Sequence, residues 1–141
     1  MGNGSTGSCI GNTDYVDLNI QKETVQHCLC HSDDLYLEKI TWWYNWVGET
    51  RLHRVIELTF QCENKECKKR QIIRMEKFKS GKKIQIVENY LDSPNSSCWE
   101  KKPKKRMSYK DCLRLFDEAS GEYNGISNNC MHFAYSIWDN V

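Results

Sequence analysis

The sequence is short of proline, of long apolar runs and of net charge. It has 2 Pro, and 20 Lys+Arg against 19 Asp+Glu leave a formal charge of +1. Each shortage excludes something. No apolar stretch approaches the roughly 18 residues of a membrane-spanning helix, so no such helix is expected. No apolar stretch follows Met1 to act as a signal peptide, so the expected setting is the reducing cytoplasm. Balanced charge provides no strong global field, and nucleic acid is not an expected partner. No internal repeat points to a solenoid. What the chain does have is 8 cysteines in 141 residues, and in reducing surroundings cysteines more often serve metals or catalysis than a scaffold.

The length fits a single domain. Residues 1–12, MGNGSTGSCIGN, are small, polar and Gly-rich and read as a flexible arm; residues 13–141 read as the domain. Trp42, Trp43, Tyr44 and Trp46 lie close together and suit a core or a cleft wall. Apolar alternation through Ile56, Leu58 and Phe60 predicts a strand over 53–62, followed by strands over 71–78 and 84–90 with a turn at Ser80-Gly81. Both prolines fall between Asp92 and Met107, a stretch rich in Ser, Asn and Lys that reads as a loop. Ser108 and Asp111 have capping-box spacing and predict a helix carrying Cys112, Leu113, Leu115, Phe116 and Ala119, with Gly121 as its C-cap. A second helix is expected after Asn128-Asn129, with Met131, Ala134, Ile137 and Trp138 at helical spacing. The expected fold class is α+β: a small antiparallel β-sheet packed with two C-terminal helices.

The most specific local feature is Tyr123-Asn-Gly-Ile-Ser-Asn-Asn-Cys130-Met-His132-Phe. With Asn129 as N-cap, Cys130 opens the last helix, where backbone N–H groups and the helix dipole stabilise a thiolate. The same N–H groups suit the oxyanion of an acyl intermediate. A small buried residue on a terminal helix fits the spacing equally well. Asn129-Cys130-Met131-His132-Phe133 resembles the Asn-Cys-x-His-Phe signature of the lecithin–retinol acyltransferase (LRAT) family, and the residues before it resemble the PPPDE peptidases. Both are permuted papain-like (NlpC-type) families in which the catalytic His precedes the Cys. The resemblance implies Cys130 as nucleophile, a general base at the start of an upstream strand, and a structural role for His132. His53 is the histidine at a strand start. The chain departs from the LRAT pattern at Arg54, where an aromatic residue is usual.

A base of this kind needs a partner that fixes its tautomer. If Cys62 and Cys67 close a four-residue hairpin loop, His53 lies directly opposite Glu76, about 5 Å away, making Glu76 the candidate third member. In that register His53 shares a side with Glu57, Thr59 and Arg74, opposite Ile56, Leu58 and Phe60. The site then requires a bulge that turns His53 over, or a cover of the Trp-rich segment and the terminal helix on the polar side.

The implied chemistry is thiol-dependent acyl hydrolysis or transfer through a Cys thioester, on an acyl lipid for an LRAT-like chain or an isopeptide or peptide bond for a PPPDE-like one. A non-catalytic, membrane-tethered adaptor on the same fold is the alternative. No cofactor is called for. His27, Cys28, Cys30, His31, Cys62 and Cys67 are metal-ligand types, but their spacing is not that of paired zinc knuckles, and packed thiols explain them as well. Met1-Gly2-Asn-Gly-Ser-Thr6 fits N-myristoylation at Gly2, with Cys9 close enough for palmitate, and also fits a plain Gly/Ser leader. Lys101-Lys-Pro-Lys-Lys-Arg106 is either a second, electrostatic membrane signal, a solvated loop, or a nuclear-localisation-like patch.

Overall fold

The computed structural model describes residues 35–47, 51–64, 66–67, 70–78, 81–91, 96–119 and 130–141. Five strands and two helices follow in order: β1 (Leu35–Val47), β2 (Arg51–Cys62), β3 (Arg70–Phe78), β4 (Gly81–Val87), β5 (Ser96–Lys101), α1 (Tyr109–Glu118) and α2 (Cys130–Trp138). The strands form one antiparallel sheet in the order β4-β3-β2-β1-β5. The fold is α+β, a five-stranded antiparallel sheet packed with the two C-terminal helices.

Period-two alternation assigns the faces. Ile56, Leu58 and Phe60 of β2, Ile73 and Met75 of β3 and Ile84 of β4 point to one side, where α1 and α2 supply Tyr109, Cys112, Phe116, Phe133, Ala134 and Ile137 to the same core. In β1 the inward residues change parity, from Leu35 and Leu37 to Ile40 and Trp42. A shift in the β1–β2 register between Leu37 and Lys39 accounts for this, because one extra residue keeps the apolar set inward on both sides of it.

Two strands depart from the sequence expectation. The Trp-rich segment is the core strand β1, paired with both β2 and β5. Within the stretch expected to be a loop, residues 96–101 form β5, whose sparse apolar content suits an edge strand of which Cys98, Trp99 and Glu100 are exposed. The β2–β3 register also differs. Gln61 pairs with Arg70, a register two residues away from the one expected, so Glu76 lies opposite Val55 instead of His53. At the β3–β4 turn Gly81 has φ 147°, a conformation open to glycine because it has no Cβ.

Helix α1 has both termini satisfied by side chains. Ser108 Oγ accepts from Asp111 N at 3.2 Å, and Asp111 Oδ2 accepts from Ser108 N at 3.0 Å, the reciprocal capping box the spacing predicts. At the other end Lys82 Nζ donates to Phe116 O at 2.8 Å and Ala119 O at 2.6 Å, placing a cation on the orphan carbonyls. The C-cap is Ala119; Gly121 lies outside the described residues.

The backbone N–H of Ser108 holds the Asp111 carboxyl below the usual aspartate range. A depressed acid contributes stability above its unfolded pKa and loses that contribution as pH falls through its folded one. Asp111→Asn should therefore lower the unfolding free energy at neutral pH, by roughly 0.5 kcal/mol given the solvent screening of this half-exposed acid. The gap between wild type and variant should narrow on acidification, as measured by urea unfolding at neutral pH and below the aspartate range.

Candidate functional site

On the side of the sheet away from the helices, alternation places Thr41, Trp43, His53, Val55, Glu57, Thr59, Ile72, Arg74, Glu76 and Phe78. The centre of this face is Glu57, which has no solvent exposure. Its carboxylate accepts from Trp43 Nε1, from Arg74 Nε at 2.8 Å and from the Leu91 backbone N–H at 3.0 Å. Arg74 Nη2 also donates to Asn89 O, and Thr59 Oγ1 meets the Tyr90 hydroxyl at 2.8 Å, so residues 89–91 are folded over the polar face. Glu57 was not legible as a site residue. An acid between hydrophobics in a strand reads as a solvent-facing position, and the burial that makes it a hub comes from partners distant in sequence.

His53 lies at one end of this face, 1% exposed. Its ring stacks on Phe78 with centroids 5.1 Å apart, and Nε2 is 3.1 Å from Glu76 Oε1. The two residues proposed as base and orienter are thus brought together, diagonally across the ladder instead of directly opposite. Nδ1 is buried and has no hydrogen-bond partner. When the ring is neutral and Glu76 accepts as a carboxylate, the proton sits on Nε2 and Nδ1 carries a lone pair.

Cys130 begins α2 and has no exposed surface. Phe133, Ala134 and Ile137 fix this helix against the Ile56–Phe60 side, with Trp42 edge-on to Tyr135 at 4.7 Å and to Trp138 at 5.9 Å. Lys101 Nζ holds Trp138 O at 2.9 Å. Phe133 meets Phe116 near the carbonyls capped by Lys82, so the N-terminus of α2 points toward the end of the sheet where β2 begins. The helix that Cys130 opens packs its Phe133, Ala134 and Ile137 on the face of the sheet opposite His53. The β1–β2 ladder runs regularly through Asn45↔His53, so no bulge turns the histidine over. The polar face receives Trp43 from the Trp-rich segment, but not the terminal helix. Cys130 is also disulfide-bonded, against the expectation of a fully reduced set of thiols. The geometry joins His53 to Glu76.

Of the other cysteines, Cys62, Cys67, Cys98 and Cys112 are not in disulfides. Burial, with Asp111 adding to it, pushes the Cys112 thiol up to about 12. Cys62 and Cys67 line a cavity of about 420 Å³ with Tyr36, Gln61 and Arg70. Among the described residues no group of three or more His, Cys, Asp or Glu is arranged for a metal ion. His27, Cys28, Cys30, His31, Cys9 and Gly2 lie outside the described residues. A second cavity, of about 230 Å³, opens on the polar face between Lys39, Thr41, Trp43, Tyr90, Cys98 and Glu100. Among the described residues no helix is long and apolar enough to cross a membrane.

No family model, curated protein or solved structure matches the chain.

The Glu57 hub yields a stability prediction. Arg74→Met removes the cation from a fully buried carboxylate and should cost about 3 kcal/mol, while Arg74→Met combined with Glu57→Gln should recover part of that loss. Denaturant unfolding of the single and double variants measures both.

Proposed function

We propose that this chain is a non-catalytic adaptor, tethered to a membrane through acylation of Gly2 and built on a permuted papain-like domain resembling the LRAT family. The observation that carries this reading is the setting of Cys130: it is buried and disulfide-bonded, on a helix whose Phe133, Ala134 and Ile137 pack on the face of the sheet opposite the His53–Glu76 pair. Thiol acyl chemistry needs base and nucleophile within hydrogen-bond reach of one another and of a substrate. Here the helix that opens with the thiol packs on the face of the sheet opposite the base. In this reading Cys130 acts as a covalent anchor of the last helix, and the Asn-Cys-x-His-Phe segment is retained for packing.

One observation favours a second reading. The His53–Glu76 couple with an unpartnered Nδ1 is the base and orienter of a cysteine acyl hydrolase or acyltransferase. In that reading reduction releases Cys130, and α2 shifts around the end of the sheet to meet His53. Its substrate would be an acyl lipid, or an isopeptide or peptide bond if the PPPDE likeness is the closer one.

Alkylation of the protein, before and after mild reduction, separates the two. On the adaptor reading, exposed Cys98 reacts early, Cys112 reacts slowly because its thiol is held near 12, and Cys130 reacts only after reduction. His53→Ala should then leave the Cys130 rate within about twofold, because no base assists it. A loss of about tenfold or more in that rate on His53→Ala would favour the enzyme. So would an acyl adduct on Cys130, seen by mass spectrometry after incubation with an activated acyl ester.

A further inference from the structure

Trp99 and Tyr135 are exposed large hydrophobics, at 64% and 47%. They belong to one cluster. Trp99 lies directly opposite Trp42 across the β1–β5 ladder and packs edge-on against Tyr44, with centroids 5.6 Å apart. Tyr135 of α2 covers the other flank of Trp42. The buried Trp42 ring is thus surrounded by aromatic residues whose outer edges reach solvent, on the side of the sheet that carries the helices.

The same strand delivers the positive charge. Lys101 projects to the same side as Trp99 and lies over the Trp138 ring at 4.6 Å. The chain then continues into Lys102, Lys104 and Lys105, all exposed. Glu100 points to the opposite face, where it pairs with Lys39 at 3.2 Å. Asp139, one residue beyond Trp138, is the acid that faces Lys101. Arg106 is drawn off toward Glu63 and the Tyr36 ring. The result is an aromatic rim beside three exposed lysines in a protein whose overall charge is only +1.

We propose that Trp99, Tyr135 and Lys102, Lys104 and Lys105 form a docking surface for a membrane bearing anionic lipid headgroups. Tryptophan and tyrosine, with an apolar body and a polar edge, partition to the headgroup level, and clustered lysines are drawn to anionic leaflets. Trp99 is held edge-on by Tyr44, an arrangement less suited to stacking between bases than to lying at an interface. The Gly2 pattern points to the same partner independently, since one myristoyl chain gives only marginal binding and needs a second signal. The inference deepens the tethered-adaptor reading by naming that signal, and it stands whether or not Cys130 is reactive.

The test uses the full chain carrying Gly2→Ala, which cannot be acylated, in cosedimentation with phosphatidylcholine vesicles with or without about a third phosphatidylserine at about 0.1 M salt. Binding is expected to the anionic vesicles only, and to be lost in high salt. Replacing Lys102, Lys104 and Lys105 with Ala should weaken it about fivefold per residue, about a hundredfold together. Trp99→Ala should weaken it about tenfold, and Trp99→Phe should retain most of it. All these side chains are exposed, so the variants should keep the wild-type circular dichroism. The proposal is overturned if the Gly2→Ala chain ignores anionic vesicles, if binding survives Trp99→Ala and the triple Lys change, or if single-stranded RNA takes the Trp99-dependent binding and vesicles do not. An acylated wild-type chain that binds where Gly2→Ala does not would leave the tether and remove the patch. The reverse result would leave the patch and remove the tether.

Discussion

Everything in this domain depends on the alternation of β2. Its even-numbered residues, Ile56, Leu58 and Phe60, form the floor on which both helices pack, and its odd-numbered residues, His53, Val55, Glu57 and Thr59, form the floor of a polar but buried face. A shift of one residue in β2 would exchange the two sets. The β1 register shift serves the same constraint from the neighbouring strand. Without it, Leu35 and Leu37 would face the helices while Ile40 and Trp42 faced away from them.

The polar face is stable only because its charges are satisfied. A carboxylate without solvent exposure carries a desolvation penalty of several kcal/mol unless donors replace its water. Glu57 has three: the Trp43 indole, the Arg74 guanidinium and the Leu91 amide. They come from β1, from β3 and from the segment after β4, so one acid ties together four parts of the chain. The loss of any donor is felt by the others, which share the same two oxygens. A second cross-element contact does comparable work for the helices: Lys82, from the β4 edge, caps α1, whose Phe116 packs on Phe133 of α2.

Features set by local chemistry were legible in the sequence. Ser108 and Asp111 declare a helix start through a reciprocal bond confined to four residues. The alternation in 53–62 and 71–78 declares strands, because side-chain period and burial coincide there. The strand in 96–101 was hidden because β5 is an edge strand with little to bury; its Ser, Lys and Glu content is that of a loop, and only pairing with β1 makes it a strand. The β2–β3 register was also hidden. It is decided by how Ile56, Leu58, Ile73 and Met75 fill the core, and loop length estimated from Cys62 and Cys67 is a poor guide to that. Chain order cannot show which face a helix will choose.

The contact between His53 and Glu76 shows how little a correct pair can establish. It was expected from direct opposition, and it forms in a register where Glu76 opposes Val55 instead. Diagonal neighbours on one face lie roughly 7–8 Å apart, within reach of a long side chain, so either register brings an imidazole and a carboxylate together once both point the same way. The contact follows from facing, not from catalysis. It nevertheless has a chemical consequence, because a carboxylate at Nε2 selects the tautomer with a lone pair on Nδ1, the atom that would take a proton from a thiol. That lone pair is buried and unpaired, and an unsatisfied acceptor of this kind costs free energy. His53 is thus held on one face of the sheet while the helix that opens with Cys130 packs on the other. Any displacement of α2 would require it to give up its contacts with Trp42 and Phe116, which are among the contacts that hold the helix layer to the sheet.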